Sequence, residues 1–485
     1  MGSVKKRLAV VTALVAGAGL TALPATSASA QTPSAQESAS ARSSANGAPS
    51  HVVTAYFADW DVYGRNYHVK DIPANKINVI QYAFGKPTFD PSTGAVSCDV
   101  IDPWADYQQP YTADIAVNGV ADDSTNANQH LYGSFNQLME LKAANPNLKV
   151  EISLGGWTLS TWFADLAATP ERRQAFVSSC IDTFIKGNLP GDSWPPSAGG
   201  AGAAAGLFDG IDLDWEYPTQ LAAGNVDYST ADRHNATLLA AEFRRQLDAY
   251  GDQTGKHYLL TAAMPAATSA TKYYELAQFS HYLDWDNVMT YDYNVPGGSS
   301  AALDTLFGHD PGDPNASDWT WNTTGTVANY LLQGVPASKI VVGVPFYGNQ
   351  YINVSATNQH GLYGTFDNTG LDPNSLQPDQ MPQPTYHDLV DVAGDLTANG
   401  KGANGYTAYW DVAAGEAYLA SPNATHELAS GTITTPTVIT TSTPASIAER
   451  TVLVKALHLR GAMAWEISQD SDSHALISAL GPILH

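Results

Sequence analysis

The chain has 485 residues and a formal net charge of −24, with 14% charged and 44% hydrophobic residues. So acidic a chain, which has no basic patch, is a poor partner for nucleic acid or for an anionic lipid surface, and a neutral polymer suits it better. Its length allows one large barrel with an insertion, or two to three domains.

Residues 1–30 have the pattern of a secretory signal peptide. Lys5, Lys6 and Arg7 precede the apolar run 8–23, and residues 28–30 are the small residues of a cleavage site. Removal of this segment takes the net charge to about −27, because those three cations are its only charged residues. No later stretch approaches 18 uninterrupted apolar residues, so we expect a secreted protein without a membrane span.

Residues 31–50 are rich in Ser, Ala, Gln and Pro and predict a disordered leader. The chain has two cysteines, Cys98 and Cys180, which are too few for a disulfide-stapled scaffold despite export. Cys180 falls within the helical pattern 172–185, where we expect a buried free thiol. Whether the two cysteines pair is left open by the sequence.

From residue 51 to residue 485, short β-rich segments alternate with helical ones. Leu239, Phe243 and Leu247 recur at the four-residue spacing of a helix, and Thr169 followed by Pro170 is typical of a helix start. Eight near-continuous apolar strands that alternate with helices predict an α/β fold, a catalytic (β/α)8 TIM barrel whose active site lies at the carboxyl ends of the strands. The predicted strands are 52–57, 77–84, 148–154, 207–215, 258–264, 287–291, 340–346 and 462–467.

Two connections are longer than one helix requires. The connection between the seventh and eighth strands exceeds 100 residues, and its segment 349–450 contains aromatic and β-branched runs. We predict a small α+β insertion domain there, at the mouth of the barrel. The long polar segment 85–132 predicts loops on the same rim.

Three carboxyl side chains, those of Asp212, Asp214 and Glu216, alternate along the fourth predicted strand. Side chains two apart on a strand share one face and lie about 6–7 Å apart. At an effective dielectric of about 20, neighbouring charges at this distance repel by about 2–3 kcal/mol, or about two pKa units. At least one carboxyl group is therefore expected to stay protonated near neutral pH, as a general acid requires.

The residues between these acids, Ile211, Leu213 and Trp215, are expected to point into apolar packing, and Asp209 opens the row. The alternatives to an acid–base site are a metal site or a run of solvated acids. A metal site usually adds a histidine or a second cluster, and neither lies beside this strand. We therefore expect no metal and no cofactor.

These segments resemble the family 18 glycoside hydrolases, and specifically the bacterial type of chitinase with an α+β insertion domain. The resemblance covers the chain from about residue 51 onwards and depends on five motifs in the right order on the right strands. The motifs are Ser153-Leu-Gly-Gly-Trp157, Asp209-Gly-Ile-Asp-Leu-Asp-Trp-Glu-Tyr-Pro218, Met289-Thr-Tyr-Asp-Tyr293, Gly343-Val-Pro-Phe-Tyr-Gly348 and Ala464-Trp-Glu466.

The resemblance implies hydrolysis of β-1,4 links between N-acetylglucosamine units with retention of configuration. The acetamide oxygen of the substrate serves as the nucleophile and forms an oxazolinium intermediate, so the usual second protein carboxylate is absent. Glu216 would protonate the leaving oxygen and then activate water. Asp214 would orient the acetamide, Asp212 would hold a proton shared with Asp214, and Tyr291 would donate to the acetamide carbonyl.

Further residues are implied as substrate contacts or as supports of the acids. Trp465 would form the floor under the sugar, Trp157 would be a platform on the leaving-group side, and Ser153 and Asp209 would support the acidic row. The implied substrate contacts are Tyr56, Phe84, Trp157, Met289, Asp292, Tyr347 and Trp465. Ordinary packing or structural roles are the alternative for Tyr56, Phe84, Ser153, Met289 and Trp465.

Two segments depart from the pattern of the family. Asn349 stands where the family commonly has an arginine that reaches toward bound sugar, so contacts beyond the cleavage point are expected to differ. Residues 431–443 are rich in threonine where the insertion usually ends in an aromatic and acidic segment. The wall of the cleft is therefore expected to differ as well.

The leading hypothesis is a secreted, monomeric chitinase that acts on chitin or on N-acetylglucosamine oligosaccharides. One alternative is an endo-β-N-acetylglucosaminidase that acts on glycoprotein glycans. A second alternative is a catalytically inactive chitin-binding lectin on the same barrel, but such proteins typically lose the acid that Glu216 supplies here. The sequence leaves open whether cleavage is internal or starts from chain ends.

Overall fold

The computed structural model of the protein describes residues 47–192, 198–221, 223–355 and 359–485. The predicted signal peptide and residues 31–46 of the predicted leader lie outside the described residues. Within the described ranges, every helix is too short or too polar to cross a membrane.

The described residues form strands and helices that alternate over most of the chain. The strands are β1 Val52–Ala58, β2 Val79–Phe89, β3 Val96–Val100, β4 Lys149–Gly155, β5 Gly210–Asp214, β6 Leu259–Met264, β7 Trp285–Val288, β8 Ile340–Pro345, β9 Gln350–Tyr351, β10 Thr407–Asp411, β11 Glu416–Leu428, β12 Gly431–Thr441 and β13 Gly461–Trp465. The α-helices are α1 Gly133–Ala144, α2 Phe163–Ala167, α3 Pro170–Cys180, α4 Asp232–Thr254, α5 Thr268–Thr271, α6 Leu276–Tyr282, α7 Thr323–Leu332, α8 Pro444–Leu457 and α9 Ala475–Leu480.

Eight parallel strands form a barrel, in the order β1, β13, β8, β7, β6, β5, β4, β2, and the pairing of β2 with β1 closes it. This confirms the predicted (β/α)8 barrel. Strand β3 is outside the barrel and runs antiparallel against the far end of β2. The end of β2, residues 85–89, and all of β3 fall within the segment 85–132, which the sequence predicted as loops, so that prediction is wrong for these two stretches.

Successive side chains of each barrel strand point alternately into the barrel and into the layer of helices around it. On β1, Val53, Ala55 and Phe57 lie in the large apolar core outside the strands, whereas Tyr56 belongs to a second cluster inside the barrel. Strands that are buried on both faces read as continuous apolar runs. The sequence therefore locates them to within a few residues.

Two predicted strands are displaced from the observed ones. The fourth was predicted to begin at Leu207, but Leu207 and Phe208 are buried in the turn that enters β5. The sixth was predicted over 287–291, whereas β7 spans Trp285–Val288 and the chain leaves the barrel wall after it. A buried apolar residue in a turn gives the same signal as one in a strand.

Both helix signals are confirmed. Thr169 caps α3 by accepting a hydrogen bond from the backbone N–H of Arg172 at 3.3 Å, and Pro170 is the first helical residue. Helix α4 buries Leu239, Phe243 and Leu247 in the core outside the strands. These local signals are reliable because capping and apolar spacing act within one or two turns.

Cys98 and Cys180 form a disulfide bond, so the expectation of a free buried thiol is wrong. Their Cα atoms lie 4.9 Å apart although 82 positions separate them in the sequence. Cys98 is on β3, which lies against α3, and Cys180 ends that helix. A bond that closes a loop of this length typically stabilises a fold by about 2–4 kcal/mol.

A second, smaller sheet lies between β8 and α8. Its four strands are antiparallel in the order β10, β11, β12, β9, and the threonine-rich segment is largely the strand β12. An apolar cluster that includes Leu303, Tyr351 and Tyr418 joins this sheet to the segment after β7. The predicted end of the insertion, residue 450, falls inside α8.

Candidate active site

The acidic row lies inside the barrel at the carboxyl end of β5. Asp212 and Asp214 are on the strand and Glu216 is two residues beyond Asp214, with 0%, 4% and 8% of their surfaces exposed. The intervening residues, Ile211, Leu213 and Trp215, pack in the core outside the strands. The period of two therefore places all three carboxyl groups on the inner face, in a row that rises toward the barrel mouth.

Asp212 is the most completely hydrogen-bonded of the three acids. Its two carboxylate oxygens accept bonds from five side chains of the surrounding strands. The donors are Tyr56 Oη at 2.8 Å, Ser153 Oγ at 2.7 Å, Thr261 Oγ1 at 2.6 Å, Asn287 Nδ2 at 3.1 Å and Gln81 Nε2 at 3.3 Å. Burial raises the pKa of Asp212 and these donors oppose the rise.

Asp214 has the opposite environment. Its Oδ1 atom is buried and has no hydrogen-bond partner among the described residues. Burial, followed by the charges of Glu216 and Asp212, raises the pKa of Asp214 well above its ordinary value. The amide nitrogens of Asn287 and Gln81, which face Asp212, can only donate, so the proton of this pair of aspartates belongs on Asp214 and the charge on Asp212.

Glu216 is held at the top of the row by its backbone. The Ser160 hydroxyl donates to the carbonyl oxygen of Asp214 at 3.1 Å and accepts the backbone N–H of Glu216 at 3.0 Å. Burial, and then the charge of Asp292, raises the pKa of the Glu216 carboxyl to about 7. Burial, more than repulsion along the row, therefore favours the protonated form of Glu216 near neutral pH, whereas repulsion within the row acts on Asp214.

Aromatic side chains form the floor beside the acids. Trp465 stacks on Phe84 with ring centres 5.9 Å apart and contacts Tyr56 at 5.1 Å. Tyr291 and Tyr347 meet edge to face at 6.4 Å. These five residues and Met289 belong to one apolar cluster inside the barrel, so the structure brings together predicted contacts from five different strands or strand ends.

Two of the predicted substrate contacts face solvent. Trp157 follows β4 and is 52% exposed, as a platform for a flat ligand requires. Asp292 is exposed in the cleft and accepts a hydrogen bond from the Tyr347 hydroxyl. The Tyr291 hydroxyl contacts Met463 Sδ at 3.7 Å. Over the part of the chain that the structure describes, this weak sulfur acceptor is the partner recorded for the hydroxyl, so the hydroxyl can donate to a substrate carbonyl.

Asp209 does not support the acidic row, and that expectation is wrong. Asp209 precedes β5 and is separated from Asp212 by an odd number of positions. Because side chains alternate along a strand, it lies on the outer face, opposite to Asp212. Its carboxylate pairs with Lys142 at 2.7 Å and Lys149 at 3.5 Å and accepts the backbone N–H of Val150. Asp209 therefore links the start of β5 to α1 and β4, at the end of the barrel opposite to the acidic row.

Asn349 is fully buried and does not reach the cleft. Its Nδ2 atom donates to the carbonyl oxygen of Asn294 at 2.7 Å, and its Oδ1 atom accepts from Gln383 at 3.3 Å. It therefore ties the segment after β7 to the inserted sheet. A residue at this position contributes to packing here and makes no contact with the open cleft.

Several residues of the site were missed in the sequence. Gln81, Thr261 and Asn287 surround Asp212, and Thr261 is directly paired with Asp212 in the strand register. Glu151, one inward position below Ser153, is fully buried, and the Thr261 hydroxyl also lies 3.2 Å from its Oε1. In the sequence, each of these residues could have been found as a polar residue at an inward-facing position of a strand that is otherwise apolar.

One group of side chains outside this site has the composition of a metal centre. His387, Asp391 and Asp472 have ligand atoms within 4.8 Å of one another, and both aspartates are exposed. His387 Nε2 lies 3.5 Å from Asp472 Oδ1, which is the distance of an ordinary ion pair. The group includes none of the acids of β5.

A closed (β/α)8 barrel with buried acids and an aromatic floor at the carboxyl ends of its strands defines a barrel enzyme that works through carboxyl groups. The chain belongs to the glycosyl hydrolases family 18, whose sequence profile matches residues 52–470.

Three relatives illustrate the relationship. The chain is 33% identical over 458 residues to Chitinase A1 of Niallia circulans, covering 88% of this chain and 57% of that protein. It is 37% identical over 327 residues to Chitinase C of Streptomyces lividans, covering 65% and 46%. The catalytic domain of psychrophilic chitinase B from Arthrobacter TAD20 superposes with a TM-score of 0.74 at 32% identity, covering 91% and 96%. The chain thus spans about half the length of the two curated relatives.

Proposed function

We propose that this protein is a chitinase that hydrolyses β-1,4 links between N-acetylglucosamine units with retention. The observation that carries the proposal is the position of Glu216, at the open end of a buried row of carboxyl groups and beside an aromatic floor, where burial raises its pKa to about 7. A single proton donor of this kind suits a reaction in which the substrate supplies the nucleophile. The names of the relatives, which are chitinases, support the same substrate class.

In the proposed reaction, Glu216 gives its proton to the glycosidic oxygen as the bond between that oxygen and the anomeric carbon breaks. The acetamide oxygen of the same sugar attacks the anomeric carbon from the opposite face and forms an oxazolinium ion. The Glu216 carboxylate then takes a proton from water as the water attacks the same carbon and displaces the acetamide oxygen, which regenerates the acetamide. Two displacements restore the original configuration.

Asp212 and Asp214 have different roles in the proposed reaction. Asp212, an anion held by five donors, keeps the proton on Asp214. A protonated Asp214, whose Oδ1 has no hydrogen-bond partner among the described residues, can turn its carboxyl group toward the acetamide N–H without leaving an uncompensated negative charge next to Asp212. This modifies the sequence-based expectation that Asp212 holds the shared proton. Tyr291 is assigned as the donor to the acetamide carbonyl.

The same proposal covers the location of the protein and the partners it meets. The cationic, apolar and small-residue pattern of residues 1–30 supports secretion. A secreted, strongly acidic protein would meet a neutral polysaccharide without charge repulsion. We assign chitin or its soluble oligosaccharides as the substrate and a single chain as the working unit.

A comparison of two substrate classes tests the proposal. A chain-length series of N-acetylglucosamine oligomers is expected to be cleaved, whereas a high-mannose glycopeptide is expected to remain intact. Cleavage of the glycopeptide alone would identify an endo-β-N-acetylglucosaminidase. A fluorogenic chitobioside that binds without cleavage at any pH from about 4 to about 8 would identify a lectin.

The acetamide is tested with an oligomer that carries a plain hydroxyl in its place at the cleaved unit. This analogue is expected to resist hydrolysis, because it lacks the oxygen that attacks the anomeric carbon. Product analysis by mass spectrometry measures the outcome, with the unmodified oligomer as the control. Cleavage of the analogue at the normal rate would show that a protein group or water is the nucleophile.

The pKa of Glu216 sets the alkaline limit of activity. Burial raises this pKa to about 7, so the acid is protonated below that pH and loses its proton above it. We expect kcat/KM to fall about tenfold per pH unit beyond about pH 7. Rates on a fluorogenic chitobioside between about pH 4 and pH 9 measure the limit. A limit near pH 4, the ordinary pKa of a glutamate, would contradict the assignment.

A further inference from the structure

The segment 303–305, which follows β7 at the rim of the barrel, is laid alongside the segment that carries Asp292. Three hydrogen bonds fix it there: Thr305 Oγ1 donates to the carbonyl oxygen of Thr290 at 2.7 Å, the backbone N–H of Tyr293 donates to the carbonyl oxygen of Asp304 at 2.9 Å, and Asn294 Nδ2 donates to the carbonyl oxygen of Leu303 at 2.9 Å. This pairing places Asp304 directly behind Asp292, on the side away from the cleft.

Asp304 is almost fully buried, and no ion pair with it is found among the described residues, so a negative charge on it would be uncompensated. Neither of its carboxylate oxygens has a partner in normal hydrogen-bond geometry among the described residues. The polar groups nearest to it include the carboxyl group and the backbone N–H of Asp292. Arg450 is a buried cation in this region, but it pairs with Glu416 and donates to Thr305 Oγ1 at 3.0 Å. It therefore does not compensate a charge on Asp304.

Two facing carboxylates repel each other, and a single proton between them turns the repulsion into a hydrogen bond. The proton belongs on the acid that is more costly to ionise, which is the buried Asp304 and not the exposed Asp292. Burial, and then the charge of Asp292, raises the pKa of Asp304 well above its ordinary value, in agreement with this geometry.

We propose that Asp304 is a protonated acid that donates a hydrogen bond to Asp292 and thereby holds Asp292 as an anion that faces the cleft. Asp292 is then fixed from behind by Asp304 and from the side by the Tyr347 hydroxyl. Asp304 is a positioning residue, since it acts on substrate only through Asp292. Its effect on turnover depends on the proposed function, whereas its protonation does not.

The other titratable and charged groups around this pair come from several elements. On the cleft side, Asp292 faces Glu216, Tyr291 and Tyr347. On the inner side, Asp304 faces Tyr351 and Glu416, and Arg450 neutralises Glu416. The tyrosines stay neutral in the working pH range. Between about pH 4 and pH 7, the single proton on Asp304 therefore leaves the pair Asp292 and Asp304 with one negative charge, which is on Asp292.

Thermal unfolding of the Asp304→Asn variant tests the proton without any assay of activity. An acid that stays protonated in the fold but ionises on unfolding destabilises the fold as the pH rises above its unfolded pKa, and asparagine removes that cost. We expect the melting temperature of the variant, relative to the unaltered protein, to rise by about 3–5 °C between pH 4 and pH 7. A flat or falling difference would overturn the proposal.

Kinetics of two variants test the positioning role. Asp304→Asn keeps a donor to Asp292 and is expected to retain kcat/KM within about twofold, whereas Asp304→Leu has no donor and is expected to lose about tenfold. The leucine variant should be at least as stable as the unaltered protein at pH 7, because it removes the cost of keeping a buried acid protonated at that pH. Equal activity of the two variants would overturn the positioning role.

Asp286 supplies a matched control. It is a buried acid on the outer face of β7 that accepts a bond from Ser280 Oγ at 2.7 Å, and burial raises its pKa to about 7. Asp286→Asn should therefore reproduce the pH trend in melting temperature without a change in kcat/KM. If no variant, nor the unaltered protein, cleaves any substrate, the proposed function fails and the melting temperatures still decide the protonation of Asp304.

Discussion

Replacement of Glu216 by glutamine is expected to reduce kcat by about 10³-fold or more on a soluble chitin oligomer. The amide has almost the same shape as the protonated carboxyl but cannot give up a proton to the leaving oxygen or take one from water. The aromatic floor of Phe84, Tyr291 and Trp465 is untouched, so binding should survive. Rates measured together with calorimetric binding of the same oligomer separate the two effects.

Glu171 provides the control for this substitution. It is an exposed glutamate at the start of α3, so Glu171→Gln makes the same chemical change away from the barrel interior. We expect this variant to keep both kcat and affinity. If Glu216→Gln kept most of its turnover, another residue would have to supply the proton.

Replacement of Gly461 by alanine is expected to destabilise the barrel by more than about 3 kcal/mol. Gly461 pairs with Val52 where β13 meets β1, and an added Cβ atom would lie 1.8 Å from the carbonyl oxygen of Val52. Because the obstacle is backbone, no side-chain rotation relieves it, and the two strands must separate at the seam of the barrel. Denaturant unfolding measures the loss, and failure to recover folded protein is its extreme form.

Gly481 provides the control, since a Cβ atom there meets nothing within 4 Å. Gly481→Ala, in the terminal 3₁₀ turn Gly481–Leu484, is expected to change the free energy of unfolding by less than about 0.5 kcal/mol. Neither glycine has the positive φ that would strain an alanine, so the comparison isolates the steric term. A loss below about 1 kcal/mol for Gly461→Ala would show that the seam can open without cost.

The barrel and the acidic row could be predicted because both follow from short-range periodicity. A period of two along β5 is enough to place Asp212, Asp214 and Glu216 inside and Trp215 outside. The same rule, applied strictly, would have excluded Asp209 from the row, since it stands at an odd position.

The partners of the row depend on the register between strands, which one sequence does not contain. Thr261 and Asn287 reach Asp212 only because β6 and β7 close the barrel beside β5.

The strand β3 and its disulfide were missed because β3 is short and follows a continuous strand without an apolar alternation. The peptide bonds that precede Phe84, Tyr217 and Glu466 are cis, and none precedes a proline, so no sequence signal announces them.

Asp304 shows most clearly which residues cannot be predicted from one sequence. In the sequence it is one acid in a polar segment, and nothing nearby in the chain marks it as different from Asp310 or Asp313. Its position behind Asp292 arises from three hydrogen bonds between segments that are about ten residues apart. The chemistry of such a residue becomes visible only when the two segments are seen together.

The bond between Cys98 and Cys180 has a practical consequence for production of the protein. The two sulfur atoms can join only where the surroundings are oxidising, and a bacterial cytoplasm keeps thiols reduced. Recombinant material from that compartment would carry β3 untethered from α3. Preparations intended for melting or kinetic work should come from the periplasm or the culture medium, with free thiols counted before use.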